Sequence, residues 1–242
     1  MGERVMIDGW LRDWDDPLNR SKAGYFGSEC DGGYAQYTKV SHRQVHPVNS
    51  AMSDAELATF ACSYVTAENM LNRGAVTAGD TVLVTGASGG VGSALIQLAN
   101  RRGAQCVGLC GADKADDVKA VGPLAVIDRN CSDLGSALRD AIGKESVDVV
   151  ADVVGGSLWP QFINALVRGG RYTCAGAIAG PMVEFDLRTF YLRDLTFTGA
   201  TVPLPGVFED LVGYIERDEI RPLLAATYPL EDFHAAQQAF ID

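Results

Sequence analysis

The sequence lacks several features that would assign it to a particular class of protein. Its 242 residues contain no apolar run close to the roughly 20 residues that a membrane-spanning helix needs, and its opening residues lack the layout of a signal peptide. The 6 cysteines include no C-x-x-C pair, which argues against a disulfide framework or a zinc knuckle. Basic residues are scarce, with 20 Lys and Arg against 31 Asp and Glu. We therefore expect a cytoplasmic protein that binds neither nucleic acid nor membranes.

The sequence does contain a regular alternation of short β-rich runs and helix-length segments, from about residue 78 to residue 199. Runs of Val, Leu and Cys with few charges are typical of strands that are buried on both faces of a parallel sheet. Strands are predicted at Thr81–Thr85, Cys106–Cys110, Ala125–Asp128, Val147–Val154, Arg171–Gly176 and Leu195–Gly199. Helices are predicted at Gly90–Arg102, Ser132–Ile142, Ser157–Val167 and Val207–Arg217. The pattern predicts an α/β fold with a doubly wound, six-stranded parallel sheet of the Rossmann type.

The two ends of the chain have a different pattern. Strand-like runs at residues 2–8, 33–40 and 44–48 indicate antiparallel material that is too small to be stable alone. Residues 220–242 contain one strand-like run and a helix. We therefore predict a nucleotide-binding domain over residues 51–218 and an incomplete β-rich region formed by residues 1–50 and 219–242.

The strongest motif is a buried strand that runs through a glycine-rich turn directly into an amphipathic helix. With Ala87 in the first slot, Gly89 and Gly92 complete the G-x-G-x-x-G spacing of a dinucleotide-binding turn. Small residues allow a pyrophosphate to approach backbone N–H groups at the start of the helix. The predicted contact residues are Ala87, Ser88, Gly89, Gly90, Val91 and Gly92. The alternative is a tight turn that binds no ligand.

The end of the second predicted strand bears on the choice of dinucleotide. An Asp or Glu about 20 residues past the glycines usually binds the free 2′-hydroxyl of NAD, and Gly111 occupies that place. Lys114 and Arg129 can bind a 2′-phosphate, so we predict NADP(H) as the cofactor. Asp113 is the counter-evidence, because its carboxylate can hydrogen-bond a bare ribose. Each cation, taken alone, can equally be a solvated surface residue.

Several motifs occur in an order that resembles one enzyme superfamily. Gly2-Glu-Arg-Val is similar to a G-D-R-V strand, and Gly32-Gly-Tyr-Ala-Gln-Tyr to a G-G-x-A-E-Y segment. The segments Val82–Leu98, Val147–Gly156 and Tyr228–Ala236 also have counterparts in the same order. The chain thus resembles the medium-chain dehydrogenase/reductase superfamily, which contains zinc-type alcohol dehydrogenases and zinc-free quinone oxidoreductases.

The resemblance implies that this chain is a fragment. In the superfamily, a long chaperonin-like barrel segment precedes the G-D-R-V strand and carries the first zinc cysteine, a His-Glu pair and the proton relay. Residues 1–50 and 219–242 would then be parts of that catalytic domain, and we expect the chain by itself to be inactive. The alternatives are a genuine stand-alone domain and a catalytically silent nucleotide-binding or sensor domain.

The resemblance also implies roles for individual residues. Cys62 falls where zinc-type members place a catalytic-zinc ligand, and Thr66 where the family packs a threonine against the nicotinamide. Zinc-free members have another residue at the Cys62 position, and a lone cysteine on an apolar helix is usually a core residue. The residues expected to line the ribose and nicotinamide are Val154, Gly176, Gly199, Ala200 and Thr201. Asp148 and Asp152 are expected to hydrogen-bond rather than to catalyse.

The function implied by the resemblance is hydride transfer between NADP(H) and an alcohol, aldehyde or ketone. Zinc in the complete enzyme would polarise the substrate oxygen. The alternative is a zinc-free quinone or enone reductase, in which Cys62 is a core residue. The expected partners are a small-molecule substrate and a second copy of the chain, which would pair through the strand at Leu195–Gly199.

Overall fold

The computed structural model describes residues 2–241. The strands are, in chain order, β1 (Val5–Ile7), β2 (Trp10–Leu11), β3 (Gly24–Tyr25), β4 (Val45–Pro47), β5 (Thr81–Thr85), β6 (Gln105–Cys110), β7 (Ala125–Asp128), β8 (Val147–Asp152), β9 (Leu166–Cys174) and β10 (Thr196–Gly199). The α-helices are α1 (Asp54–Ala58), α2 (Phe60–Arg73), α3 (Gly90–Arg101), α4 (Ala115–Ala120), α5 (Leu134–Ile142), α6 (Trp159–Asn164), α7 (Leu187–Leu192), α8 (Val207–Glu216) and α9 (Phe233–Ile241). No helix in this part of the chain is both long and apolar enough to span a bilayer.

The last six strands form one parallel sheet in the order β10-β9-β8-β5-β6-β7. The strand order reverses between β5 and β8, which is the place where open α/β sheets bind ligands. This arrangement confirms the predicted doubly wound, six-stranded Rossmann fold.

Helices cover both faces of the sheet. Along β6 the side chains alternate: Val107 belongs to the cluster that contains Leu138 of α5 and Phe162 of α6, whereas Gly108 faces the other way. A Cβ on Gly108 would lie 2.9 Å from a methyl group of Val118 in α4. The glycine therefore lets the second helix layer pack close to the strand.

Several predicted boundaries in the sheet region were wrong. The helix predicted to reach Val167 ends at Asn164, because Leu166 already pairs with Val147 on β8. The fourth strand ends at Asp152 instead of Val154, because the Asp152 side chain accepts hydrogen bonds from the turn that follows. Helices α4 and α7 were not predicted, whereas the helix predicted after the last strand is present as α8.

The chain divides into two compact units. Residues 63–203 form one unit, and residues 2–62 together with 204–241 form the other. In it, β1 pairs with β4 and β2 pairs with β3, both antiparallel. The strand predicted at residues 33–40 was wrong: residues 33–37 form bends and residues 38–40 have no regular structure, and Tyr34 and Tyr37 are exposed. Residues 220–229 likewise form no strand, although the predicted C-terminal helix is present as α9. The predicted domain boundaries after residues 50 and 218 stay predictions.

Candidate nucleotide-binding site

The turn between β5 and α3 is built so tightly that side chains are excluded from its inner face. Gly86 has a φ of +59°, which glycine adopts without strain. A Cβ on Gly92 would overlap sterically with the carbonyl oxygen of Gly86 and lie 2.7 Å from Cα of Ala87. Alanine at position 92 would therefore force the turn and the helix apart, as expected for the glycine that packs helix against strand in this motif.

The first turn of α3 presents backbone amides that no side chain caps. Gly89 is the N-cap residue and forms no side-chain capping hydrogen bond, although the first N–H groups of a helix need partners outside it. A Cβ on Gly90 would lie 2.7 Å from Oγ of Ser63 on α2. Ser88, Gly89 and Gly90 are exposed. Open amides, the positive end of the helix dipole and the absence of side chains suit an anion such as a pyrophosphate.

The parallel strands bring the other predicted cofactor residues to this same edge of the sheet. These residues lie at or just beyond the carboxyl ends of β6, β7, β8, β9 and β10, and they are Gly111, Arg129, Val154, Gly176 and Gly199 with Ala200 and Thr201. Thr66 is half-buried on α2, one turn after Ser63. The structure thus places the predicted contacts together, and their role in binding stays a prediction.

The space beside Gly111 is shared by charges of both signs. A Cβ on Gly111 would lie 2.5 Å from Oδ1 of Asp113 and 4.0 Å from Cζ of Arg129. Burial and the negative charges of Asp113 and Asp128 raise the pKa of the Cys110 thiol, while Arg129 and Lys114 oppose that shift, so all four charges lie near the end of β6. A 2′-phosphate here could contact the cations, provided that the exposed Asp113 side chain turns away.

The turn after β8 contacts both neighbouring loops. A Cβ on Gly86 would lie 3.1 Å from a methyl group of Val153 and 3.3 Å from one of Val154, and a Cβ on Gly176 would lie 2.9 Å from the Val153 carbonyl oxygen. The expectation that Asp152 hydrogen-bonds to a loop is confirmed, because its carboxylate accepts the N–H groups of Val154 and Gly155. The backbone of this turn is therefore fixed between two other predicted cofactor loops.

Cys62 is exposed, so it is not a core residue. It neighbours the phenol of Tyr25. The pKa of this phenol is raised to about 12, first by burial and second by its interaction with Cys62. Between residues 2 and 241, no three His, Cys, Asp or Glu side chains are placed to share a metal ion. A lone thiolate does not fit a zinc site, which takes three or four protein ligands. We therefore derive no reaction step through zinc from these residues.

Two side chains that the sequence did not single out lie against neighbouring parts of the site. Oγ of Ser63 lies beside Gly90, at the start of α3. Arg73, near the end of α2, donates to the carbonyl oxygen of Val202 at 2.8 Å and to Oδ1 of Asn69 at 3.2 Å. It thereby holds the loop that follows Thr201. No local motif marks Arg73, because its partner lies 129 residues away in the chain.

The chain was compared with known proteins and protein families. The model of the family described as "Zinc-binding dehydrogenase" matches residues 90–217, more than half of the chain. An acryloyl-coenzyme A reductase from Metallosphaera sedula is 29% identical over 235 residues, which are 96% of this chain and 68% of the relative. An NAD-dependent alcohol dehydrogenase from Saccharolobus solfataricus is 26% identical over 218 residues, covering 88% of this chain and 62% of the relative. A quinone oxidoreductase from Mus musculus is 26% identical and is covered over 74% of its length.

A crystal structure of a candidate alcohol dehydrogenase from Sinorhizobium meliloti 1021 shares the fold. It is 48% identical, it superimposes with a TM-score of 0.94, and the match covers 100% of this chain and 66% of that protein. The chain thus spans about two thirds of the length of these relatives. The family match, the shared fold and the glycine turn agree with one another, and we conclude that this chain belongs to the zinc-binding dehydrogenase family of the medium-chain dehydrogenase/reductase superfamily of oxidoreductases.

Proposed function

We propose that the chain binds NADP(H) along the carboxyl edge of its sheet and serves an enzyme that transfers hydride to or from an alcohol, aldehyde or ketone. The observation that carries this proposal is the turn at Gly86–Gly92, where side chains are excluded and the helix amides are uncapped. A Cβ on Gly89 would meet only the Gly86 carbonyl oxygen, at 3.4 Å, so steric exclusion does not explain the missing capping side chain at this position, whereas a bound anion would.

Each part of the edge has a proposed task. The amides of Gly90, Val91 and Gly92 bind the pyrophosphate, and Lys114 with Arg129 binds the 2′-phosphate. Val154, Gly176 and the loop at Gly199–Thr201 line the ribose and nicotinamide, with Thr66 packing against the ring. When bound, the nicotinamide supplies or accepts the hydride at its C4 atom. The chain itself binds and orients the cofactor.

The alternative substrate class is a quinone or an enone, reduced without zinc. The relatives that are an acryloyl-coenzyme A reductase and a quinone oxidoreductase favour it. In that case positioned hydride transfer suffices and Cys62 holds no metal. A further alternative is a nucleotide-binding domain that catalyses no reaction. Assays of the full-length enzyme with NADPH and an aldehyde, a quinone or acryloyl-coenzyme A would separate the three, and we expect the 242-residue chain alone to bind nucleotide with little turnover.

The cofactor choice is tested by titrating the chain with NADPH and with NADH and following nucleotide fluorescence. We expect NADPH to bind about 10- to 100-fold more tightly, because charge-assisted hydrogen bonds contribute about 1.5–3 kcal/mol. Lys114→Ala combined with Arg129→Ala should remove this preference, and Asp113→Asn should increase it. The matched control is Lys144→Ala with Arg168→Ala, which changes the net charge equally away from the predicted site. Equal affinities in the wild type would contradict the 2′-phosphate assignment.

We also propose a homodimer and a cytoplasmic location. β10 is an edge strand, paired on one side only in the described sheet, so a second copy could extend the sheet there. Free cysteines throughout the described residues suit a reducing compartment. Sedimentation of the purified chain at several concentrations would test the dimer, and a monomer at all concentrations would contradict it.

A further inference from the structure

Asp152 is a buried carboxylate whose partners are all hydrogen-bond donors. It is 0% exposed, and burying a carboxylate is costly unless other groups replace its hydration. Its oxygens accept from the hydroxyls of Thr85 at 2.5 Å and Tyr172 at 2.7 Å. They also accept from the N–H groups of Val154 at 2.8 Å and Gly155 at 3.2 Å. A carboxylate can accept at both oxygens, whereas the amide nitrogen of an Asn would replace one of these acceptors by a donor, so this set of donors suits Asp better than Asn.

The network fixes three consecutive amides of the turn after β8. The N–H of Val153 donates to the Thr85 hydroxyl oxygen at 3.1 Å, and the next two N–H groups donate to Asp152. Tyr172 stays protonated as a donor, because burial and the Asp152 charge raise the pKa of its phenol. The ends of β5, β8 and β9 are thus tied together through one side chain.

The turn held in this way lies between two loops of the proposed cofactor site. Val153 and Val154 pack against Gly86 of the glycine turn, and the Val153 backbone is approached closely by Gly176. The N–H of Ala179, in the loop after Gly176, donates to the Val154 carbonyl oxygen at 2.9 Å. A shift of this turn would therefore displace the residues proposed to line the nicotinamide half of the cofactor, whereas the adenosine end at Gly111, whose nearest side chains are Asp113 and Arg129, lies outside these contacts.

We propose that Asp152 is a positioning residue for the nicotinamide half of NADP(H), acting through the backbone of Val153–Gly155. The inference rests on the proposed function of this edge. A purely structural carboxylate would support the fold without favouring either half of the cofactor. The positioning role requires instead that its loss weaken contacts to the nicotinamide half selectively.

The structure provides a matched control on the same pair of strands. Asp148, four residues earlier on β8, accepts the N–H of Thr81 at 2.8 Å, at the opposite end of β5. Asp148→Asn therefore makes the same chemical change at a strand contact away from the turn. Tyr172→Phe is a milder second variant that removes one donor and keeps the aromatic ring, so the test remains possible if Asp152→Asn does not fold.

The experiment compares NADPH with 2′,5′-ADP, which contains only the phosphorylated adenosine half, as ligands of the full 242-residue chain. We expect Asp152→Asn to raise the Kd for NADPH about tenfold or more and Tyr172→Phe to raise it several-fold, the scale of charge-assisted hydrogen bonds. The Kd for 2′,5′-ADP should change less than about twofold, as should both constants in Asp148→Asn. Unchanged NADPH affinity in the first two variants, or equal weakening of both ligands, would overturn the proposal. A wild-type chain that binds neither ligand would instead contradict the proposed function itself.

Discussion

Residues 63–203 and the unit formed by residues 2–62 and 204–241 are stabilised by different interactions. In the first region, every residue of β5 is buried, and Leu83 belongs to a continuous apolar cluster. In the second region, the paired strands are only two or three residues long, and Tyr34 and Tyr37 are 82% and 92% exposed. The first region therefore buries apolar side chains on a broad sheet, whereas the second has only short strands and buries side chains such as Phe60, Phe208 and Leu211 on its helices.

Polar side chains also join distant parts of the chain within the second region. Arg4 donates to Oδ1 of Asp54 at 2.7 Å, to the carbonyl oxygen of Ser50 at 2.8 Å and to that of Met52. Glu216 accepts the N–H of Asn49 at 2.8 Å. Contacts of this kind contribute less than core packing but depend on exact geometry. The comparison predicts that truncating a buried apolar side chain of the sheet costs more stability than removing these polar contacts or an exposed apolar side chain of the second region.

The largest effect is expected from Leu83→Ala. Removing this fully buried side chain from β5 should lower the free energy of unfolding by about 3–4 kcal/mol, through lost burial and a residual cavity. Leu18→Ala is the matched control in the other region: Leu18 is 69% exposed, so its loss should cost less than about 0.5 kcal/mol. Urea unfolding followed by circular dichroism measures both, and similar losses would break the comparison.

Gly92→Ala should have the next largest effect and should also impair binding. The new methyl group would collide with the Gly86 carbonyl, so we expect a loss of about 1–3 kcal/mol in the free energy of unfolding and a Kd for NADPH raised about tenfold or more. Gly213→Ala on α8 is the control, because a Cβ there meets only the flexible Arg217 guanidinium. It should not change NADPH affinity. Normal binding by Gly92→Ala would contradict the role of the turn.

A smaller effect is expected from Arg4→Ala. Loss of three hydrogen bonds at a partly exposed guanidinium should lower the free energy of unfolding by about 1 kcal/mol. Arg20→Ala, at an exposed position of the same region, should change it by less than about 0.5 kcal/mol. The same urea titrations test this pair. A loss as large as that of Leu83→Ala would show that polar contacts can equal core packing here.

The smallest effect on stability is expected from Cys62→Ser. Because the thiol is exposed, the free energy of unfolding should change by less than about 0.5 kcal/mol. If Cys62 ligates zinc in the full-length enzyme, the same substitution should empty the metal site. Atomic spectroscopy of full-length wild type and variant, with melting curves alongside, checks both points. A zinc-free wild type, or a variant that retains zinc, would favour the quinone or enone reductase.

The parts of the fold that could be predicted are those specified by residues that are close together in the sequence. The run Thr81–Thr85 is uniformly apolar or β-branched, and the glycines that follow permit the turn into α3, so strand, turn and helix were predicted with small boundary errors. The segment at residues 33–40 was mispredicted because a strand needs a partner strand, and its composition did not reveal that the partner is absent from the described residues.

The sequence by itself therefore determined the family, the parallel sheet and the glycine turn, because each depends on short-range patterns of burial and backbone freedom. Tertiary structure decided which side chains contact one another at the carboxyl edge of that sheet. Asp113 lies over Gly111 only because its side chain turns back toward the end of β6. Asp152 reaches Thr85 across 67 residues of chain, and Arg73 reaches Val202 across 129. Such contacts depend on which strand ends the packed sheet brings together, and no local pattern encodes that adjacency.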